Sequence, residues 1–107
     1  MGLSWRQTVN KASFRTLVDD PTYEATKGVL EIEDRLFDEA LKGVTWVLCK
    51  DPERGQETDA PGIWAICTDS YHGVPELVVY YVFDDQSVNL LAVYPAEEMP
   101  NYDDIDF

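Results

Sequence analysis

Residues 77–94, LVVYYVFDDQSVNLLAVY, constrain the fold more than any other stretch, because two runs of β-branched, aromatic and aliphatic residues flank the polar tetrad DDQS. Runs of this kind form strands, and an aspartate-rich turn of this length between them predicts a hairpin. Side chains along a strand alternate between its two faces. Leu77, Val79, Tyr81 and Phe83 therefore share one face and Val78, Tyr80 and Val82 the other, while Leu91 and Val93 alternate with Leu90, Ala92 and Tyr94. Neither face is polar. An antiparallel sheet with one wet face shows polar residues at every second position. Both faces of this hairpin are thus expected to be covered, one by helices and the other by the C-terminal tail, a second copy or a partner protein.

The remaining elements follow from punctuation and spacing. Ile63 to Thr68 reads as a strand ahead of the hairpin, joined to it by the turn-rich DSYHGVP, which makes a three-stranded meander. Leu3 to Val9 alternates loosely and predicts a first strand. Asn10 precedes KASFRTLV, where Phe14, Leu17 and Val18 recur at helical spacing, so a short helix is expected up to Asp19. Asp20 and Pro21 form an N-cap and first-turn pair, since the carboxylate accepts an orphan N–H and proline has none to lose. A longer helix is expected from there to residue 50, with Leu30, Phe37, Leu41, Val44 and Leu48 on its apolar stripe. Gly28 and Gly43 weaken it by about 1 kcal/mol each. Asp51-Pro52 ends it, and DPERGQETDAPG at 51–62 reads as a loop.

A chain of 107 residues suits one core. The expected organisation is a single α+β domain over residues 1–98, ordered β-α-α-β-β-β, with an acidic tail at 99–107. No apolar run approaches the length of a bilayer span, and the N-terminus lacks a secretory core, so a cytoplasmic protein without membrane contact is expected. Cys49 and Cys67 stand in apolar segments without Cys-x-x-Cys or histidine pairing, and are read as buried free thiols.

The net charge of −13 is unevenly spread. All the cations, Arg6, Lys11, Arg15, Lys27, Arg35, Lys42, Lys50 and Arg54, precede residue 55; residues 55–107 carry eleven acids and no cation. Binding to a phosphate backbone requires clustered lysine and arginine. Direct nucleic-acid binding by the sheet half is therefore not expected.

The segments LCKDPERG at 48–55, Gly62-Ile63-Trp64, and VVYYVFDD at 78–85, in this order of elements, resemble the RelE/ParE toxin superfamily over residues 3–96. The resemblance implies a small antiparallel sheet with two helices packed on one face, and a place among toxin-antitoxin or plasmid-stabilisation proteins with an antitoxin-like partner. Ribosome-dependent nucleases of that superfamily hold messenger RNA with basic and aromatic side chains on the sheet and near the C-terminus. When a 2′-hydroxyl attacks phosphorus, charge grows on the phosphoryl oxygens and needs placed cations and a proton-moving group. This chain instead has Ala65 and Cys67 after Trp64, and Pro95, Ala96, Glu97 and Glu98 at the end of the last strand.

The residues capable of such chemistry are few: Arg54 in the loop, Tyr71 and His72 in the turn, and Tyr94 on the last strand. Without interleaved arginine, the tyrosines, Tyr80 and Tyr81 included, are read as packing residues rather than base-stacking platforms. Asp84-Asp85 and Glu97-Glu98 lack the spacing of a calcium loop, so no metal and no cofactor is expected. The expected function is protein binding, with an antitoxin-like partner or a homodimer, by a non-nucleolytic relative of these toxins. The enzymatic alternative is a ribosome-dependent endoribonuclease drawing cations from Arg6, Lys11, Arg54 or the ribosome itself. The third is an acidic module that imitates nucleic acid.

Overall fold

A computed structural model describes residues 14–98. The strand expected at 3–9, the cations Arg6 and Lys11, and the tail at 99–107 lie outside the described residues.

The first described strand, β1, spans Thr16–Asp19, where a helix was expected. A short apolar run does not distinguish the two by spacing alone. Thr16 and Val18 are β-branched, and the segment finds a ladder: β1 runs parallel to the last strand, Thr16 beside Ser87 through Asp19 beside Leu90. Helix α1, Pro21–Leu30, starts as its cap predicts, with the Thr22 N–H donating to Asp20 Oδ1 at 3.0 Å and Pro21 in the first turn. It stops at Glu31, whose φ of 56° is left-handed. A second helix, α2, then covers Asp34–Lys50. The single long helix expected from sequence is thus two, because Glu31 supplies a left-handed cap that glycine usually provides. On α2, Phe37, Leu41 and Leu48 are buried, at spacings of four and seven. Asp51 closes the helix by donating its N–H to the Val47 carbonyl at 2.6 Å, and a 3-10 turn follows at Pro52–Arg54.

Three more strands and one short one complete the sheet: β2 (Gln56–Glu57), β3 (Trp64–Cys67), β4 (Leu77–Phe83) and β5 (Ser87–Pro95). Their order is β1-β5-β4-β3-β2, antiparallel throughout except for the β1–β5 pair. The expected α+β class is what the structure shows. Both sharp turns use side-chain or backbone chemistry readable in the sequence. Asp84 Oδ1 accepts the N–H groups of Gln86 and Ser87, each at 2.8 Å, which fixes the β4–β5 hairpin and holds the Asp84 carboxyl below its usual range. Between β3 and β4, Tyr71 and Val74 bridge around His72 and Gly73, both at positive φ, as a type I′ turn requires.

The larger core lies between the helices and one sheet face, where Tyr23, Phe37, Leu41 and Leu48 meet Leu77, Val79, Tyr81, Val88, Leu90 and Val93. On the other face Val78, Tyr80 and Ala92 are 1%, 0% and 0% exposed, with Ile63, Ala65, Leu91 and Tyr94 around them. Both faces are covered, as the alternation demands, and the second is already buried within one chain. Strict alternation nevertheless mis-assigns β5. A bulge lies between the pairs Tyr80–Ala92 and Tyr81–Leu90, so Leu91 is an extra residue and the strand changes phase there. Leu90 and Val93 consequently share the helix face, and Leu91 joins the other. The cysteines also differ from expectation: both are free, but Cys49 is only half-buried and Cys67, at the exposed end of β3, is open to solvent.

Candidate functional site

A cleft of about 460 Å³ opens between α2 and β3. Its floor is apolar and low, made of Ala40, Gly43, Val44 and Val47 from α2 and Ile66 from β3; Arg54, Asp69, Ser70 and Tyr71 form its rim. Small side chains at 40 and 43 are what leave room there: one turn of helix carries almost no bulk.

Arg54 reaches this rim because its turn is fastened to the sheet. The buried hydroxyl of Tyr81, on β4, donates to the Pro52 carbonyl. Burial and the charge of Asp51 push the Tyr81 phenol up to about 12, against the opposing effect of the Gly55 N–H that donates to it. Gly55 itself permits the contact. A Cβ at that position would lie 2.5 Å from the Ala65 carbonyl oxygen, far inside contact distance, and would also collide with the Tyr81 hydroxyl. Tyr81 and Gly55 thus determine where Arg54 stands.

Tyr71 arrives from the opposite side. Its hydroxyl donates to Glu39 Oε1 at 3.2 Å, and desolvation together with that carboxylate pushes its phenol above the usual range. At neutral pH Tyr71 is therefore a protonated donor whose proton is already directed to Glu39. His72 lies edge-on to Tyr71, ring centroids 4.4 Å apart, on the exposed turn and outside the cleft lining. Tyr94 belongs elsewhere. It contacts Tyr80 edge-to-face at 6.0 Å and borders a separate groove of about 280 Å³ with Val29, Leu30 and Pro95.

Of the four candidates, Arg54 and Tyr71 share one cleft, His72 adjoins it, and Tyr94 does not belong to it. Asp69, Ser70 and Glu39 were not singled out in the sequence; their approach requires the β3–β4 turn to fold back over α2, which nothing local signals. Arg54 also borders a second hollow of about 340 Å³ with Cys67 and Val78. Cys49 lies away from both, its thiol pushed up by burial. No helix among the described residues is long and apolar enough to cross a membrane.

No family model matches the chain, and neither does any curated protein. Among solved structures, the fold is similar to that of the E. coli toxin RelE, determined in the free state as a double arginine-to-alanine mutant. The TM-score is 0.56 at 19% identity, over 78% of this chain and 85% of the RelE chain. The chain has a RelE-like fold.

Proposed function

We propose that the chain is a non-nucleolytic, protein-binding member of the RelE/ParE toxin superfamily, acting in the cytoplasm as one domain over residues 1–98, with residues 99–107 as an acidic tail. The observation that carries this reading is the cation content of the cleft. Among the described residues Arg54 is the only cation lining it, Asp69 lines it as well, and β3, β4 and β5 contain no lysine or arginine at all. Cleavage by a 2′-hydroxyl places growing charge on phosphoryl oxygens, and the Asp69 carboxylate on the rim opposes it. Tyr71 directs its hydroxyl proton to Glu39 and has its pKa raised, which favours its protonated form over the form that would accept a proton. An apolar floor with one arginine at its mouth instead suits an apolar side chain followed by a carboxylate, supplied by an antitoxin-like protein partner.

The reading is tested by incubating the protein with translating ribosomes and mapping messenger-RNA ends. The expected result is no codon-specific cleavage. Cleavage that disappears in Arg54→Ala would overturn it in favour of an endoribonuclease, the second reading, which the meeting of Arg54 and Tyr71 in one cleft supports.

A further inference from the structure

A hollow of about 330 Å³ is bordered by β1, α1 and α2, and it shares no lining residue with the Arg54 cleft. Leu17, Phe37, Leu41 and Leu90 give it apolar walls, and Asp19 and Asp38 bring carboxylates to it. Tyr23, also in the lining, is only 3% exposed, yet its hydroxyl makes no hydrogen bond among the described residues. A tyrosine buried this far ordinarily finds a partner for its hydroxyl. The surroundings of this one are anionic. Burial first, and then the charges of Asp19, Glu24 and Asp38, hold the Tyr23 phenol well above its ordinary range.

The two aspartates have no paired cation. The one ion pair among the described residues joins Arg35 and Glu33, at 3.9 Å. Lys27 and Lys42 line the hollow but pair with neither aspartate: the Lys27 ammonium lies 4.9 Å over the Phe37 ring, and Lys42 makes no ion pair with a described residue. Glu39, the third carboxylate in the lining, accepts the Tyr71 hydroxyl instead. Asp19 is left beside Glu24, and burial together with that neighbour raises its carboxyl.

We propose that this hollow binds a primary alkylammonium ion, its charged head among Asp19, Asp38 and the Tyr23 hydroxyl and its hydrocarbon stem along Leu17 and Leu41. The donor count selects this chemistry. An ammonium carries three N–H donors and no acceptor, which matches two carboxylates and one phenolic oxygen. No group of three or more carboxylate, histidine or cysteine side chains among the described residues is arranged to hold a metal ion, and the apolar walls suit a hydrocarbon stem rather than a hydrated inorganic cation. Phe37 already takes an ammonium on its face, that of Lys27. The chain's charge of −13 draws every cation, so the hydroxyl and the walls supply the discrimination. The same head and stem occur in a free alkylamine and in a lysine side chain of another protein. Asp19 and Asp38 are exposed, so the binding is weak. None of this rests on what the Arg54 cleft does.

The test is titration of the full chain with pentylamine hydrochloride and, separately, with Nα-acetyl-lysine amide, followed by NMR. Saturable shifts of the Tyr23 ring and the Asp19 amide are expected, with dissociation constants of about 1–10 mM. The tighter of the two probes names the source, a free amine or a protein side chain. Tyr23→Phe, which removes the hydroxyl alone, and Asp19→Asn should each weaken binding about tenfold. Asp19→Asn should at the same time raise the melting temperature of the unliganded chain, a gain in stability with a loss of binding that a damaged fold does not show. The absence of saturable shifts up to about 50 mM overturns the proposal. Equal shifts from sodium chloride overturn it as well, since they mark a counter-ion atmosphere only, and equal shifts from pentanol do so by marking an apolar pocket only. Unchanged affinity in either variant is equally fatal.

Discussion

The two faces of the sheet bury side chains of the same kind to different depths. On one, strands β4 and β5 meet two helices, and a single cluster runs from Tyr23 to Leu48. On the other, among the described residues, Val78, Tyr80 and Ala92 form a smaller cluster bordered by half-buried residues. Val78 and Val79, neighbours on opposite faces of β4, are both nearly fully buried, so exposure alone does not separate the two sides. What differs among the described residues is the cover, two helices on one face and half-buried neighbours on the other, and packing against helices leaves less room to relax when atoms are removed.

That difference is open to measurement. The largest effect is expected for Leu48→Ala, on the helix side, at about 2–5 kcal/mol by urea unfolding. Neighbouring valines then give the sharpest comparison. Val79→Ala on the helix side and Val78→Ala on the other should each cost about 1.5–3 kcal/mol, with Val79 the more costly. Equal losses, or a greater loss at Val78, would show that the two faces are equally rigid. Next comes Tyr81→Phe, which removes the donor to the Pro52 carbonyl and should cost about 1–3 kcal/mol. Faster exchange of the Gly55 amide should accompany it, and an unchanged Gly55 would separate the placement of Arg54 from the helix-side core.

The smallest effects are electrostatic and of opposite sign at the two ends of the β1–β5 pairing. Burial first and then Glu24 raise the Asp19 carboxyl above the ordinary aspartate value of 3.8. Its contribution to stability is present below that value and is lost as pH rises through its folded pKa, so Asp19→Asn should stabilise at neutral pH. Asp84 is lowered by its turn N–H groups. Its contribution is present above 3.8 and fades as pH falls through its depressed folded pKa. Asp84→Asn should therefore destabilise at neutral pH and make little difference under strong acid. Thermal melts of the two variants across pH 2–7 check both signs.

Much of this architecture is legible in the chain. The β4–β5 hairpin is plain because apolar alternation and an aspartate turn agree, and α1 begins where Asp20 and Pro21 require. Elements set by tertiary partners are not. Thr16–Asp19 is a strand because β5 offers it a ladder, and the helices separate at Glu31 because the chain reverses there on a residue that seldom does so. The candidate site was legible in its individual groups, Arg54 and Tyr71, but not in their meeting. The second depends on a turn folding over α2, and the first on a glycine whose importance comes from a tyrosine 26 positions later along the chain.

The bulge at Leu91 has a consequence for how this strand tolerates change in length. Removing one residue from a strand ordinarily turns every following side chain onto the wrong face. Here the ladder passes from Leu90 directly to Ala92 on the partner residues Tyr81 and Tyr80. Deleting Leu91 would therefore leave a regular strand with Val88 and Leu90 still toward the helices, Ala92 still away from them and Val93 still inward. Position 91 behaves as a spare count in an otherwise strict two-beat rhythm, and it is the one place in β5 where the chain can shorten without exchanging its inside for its outside.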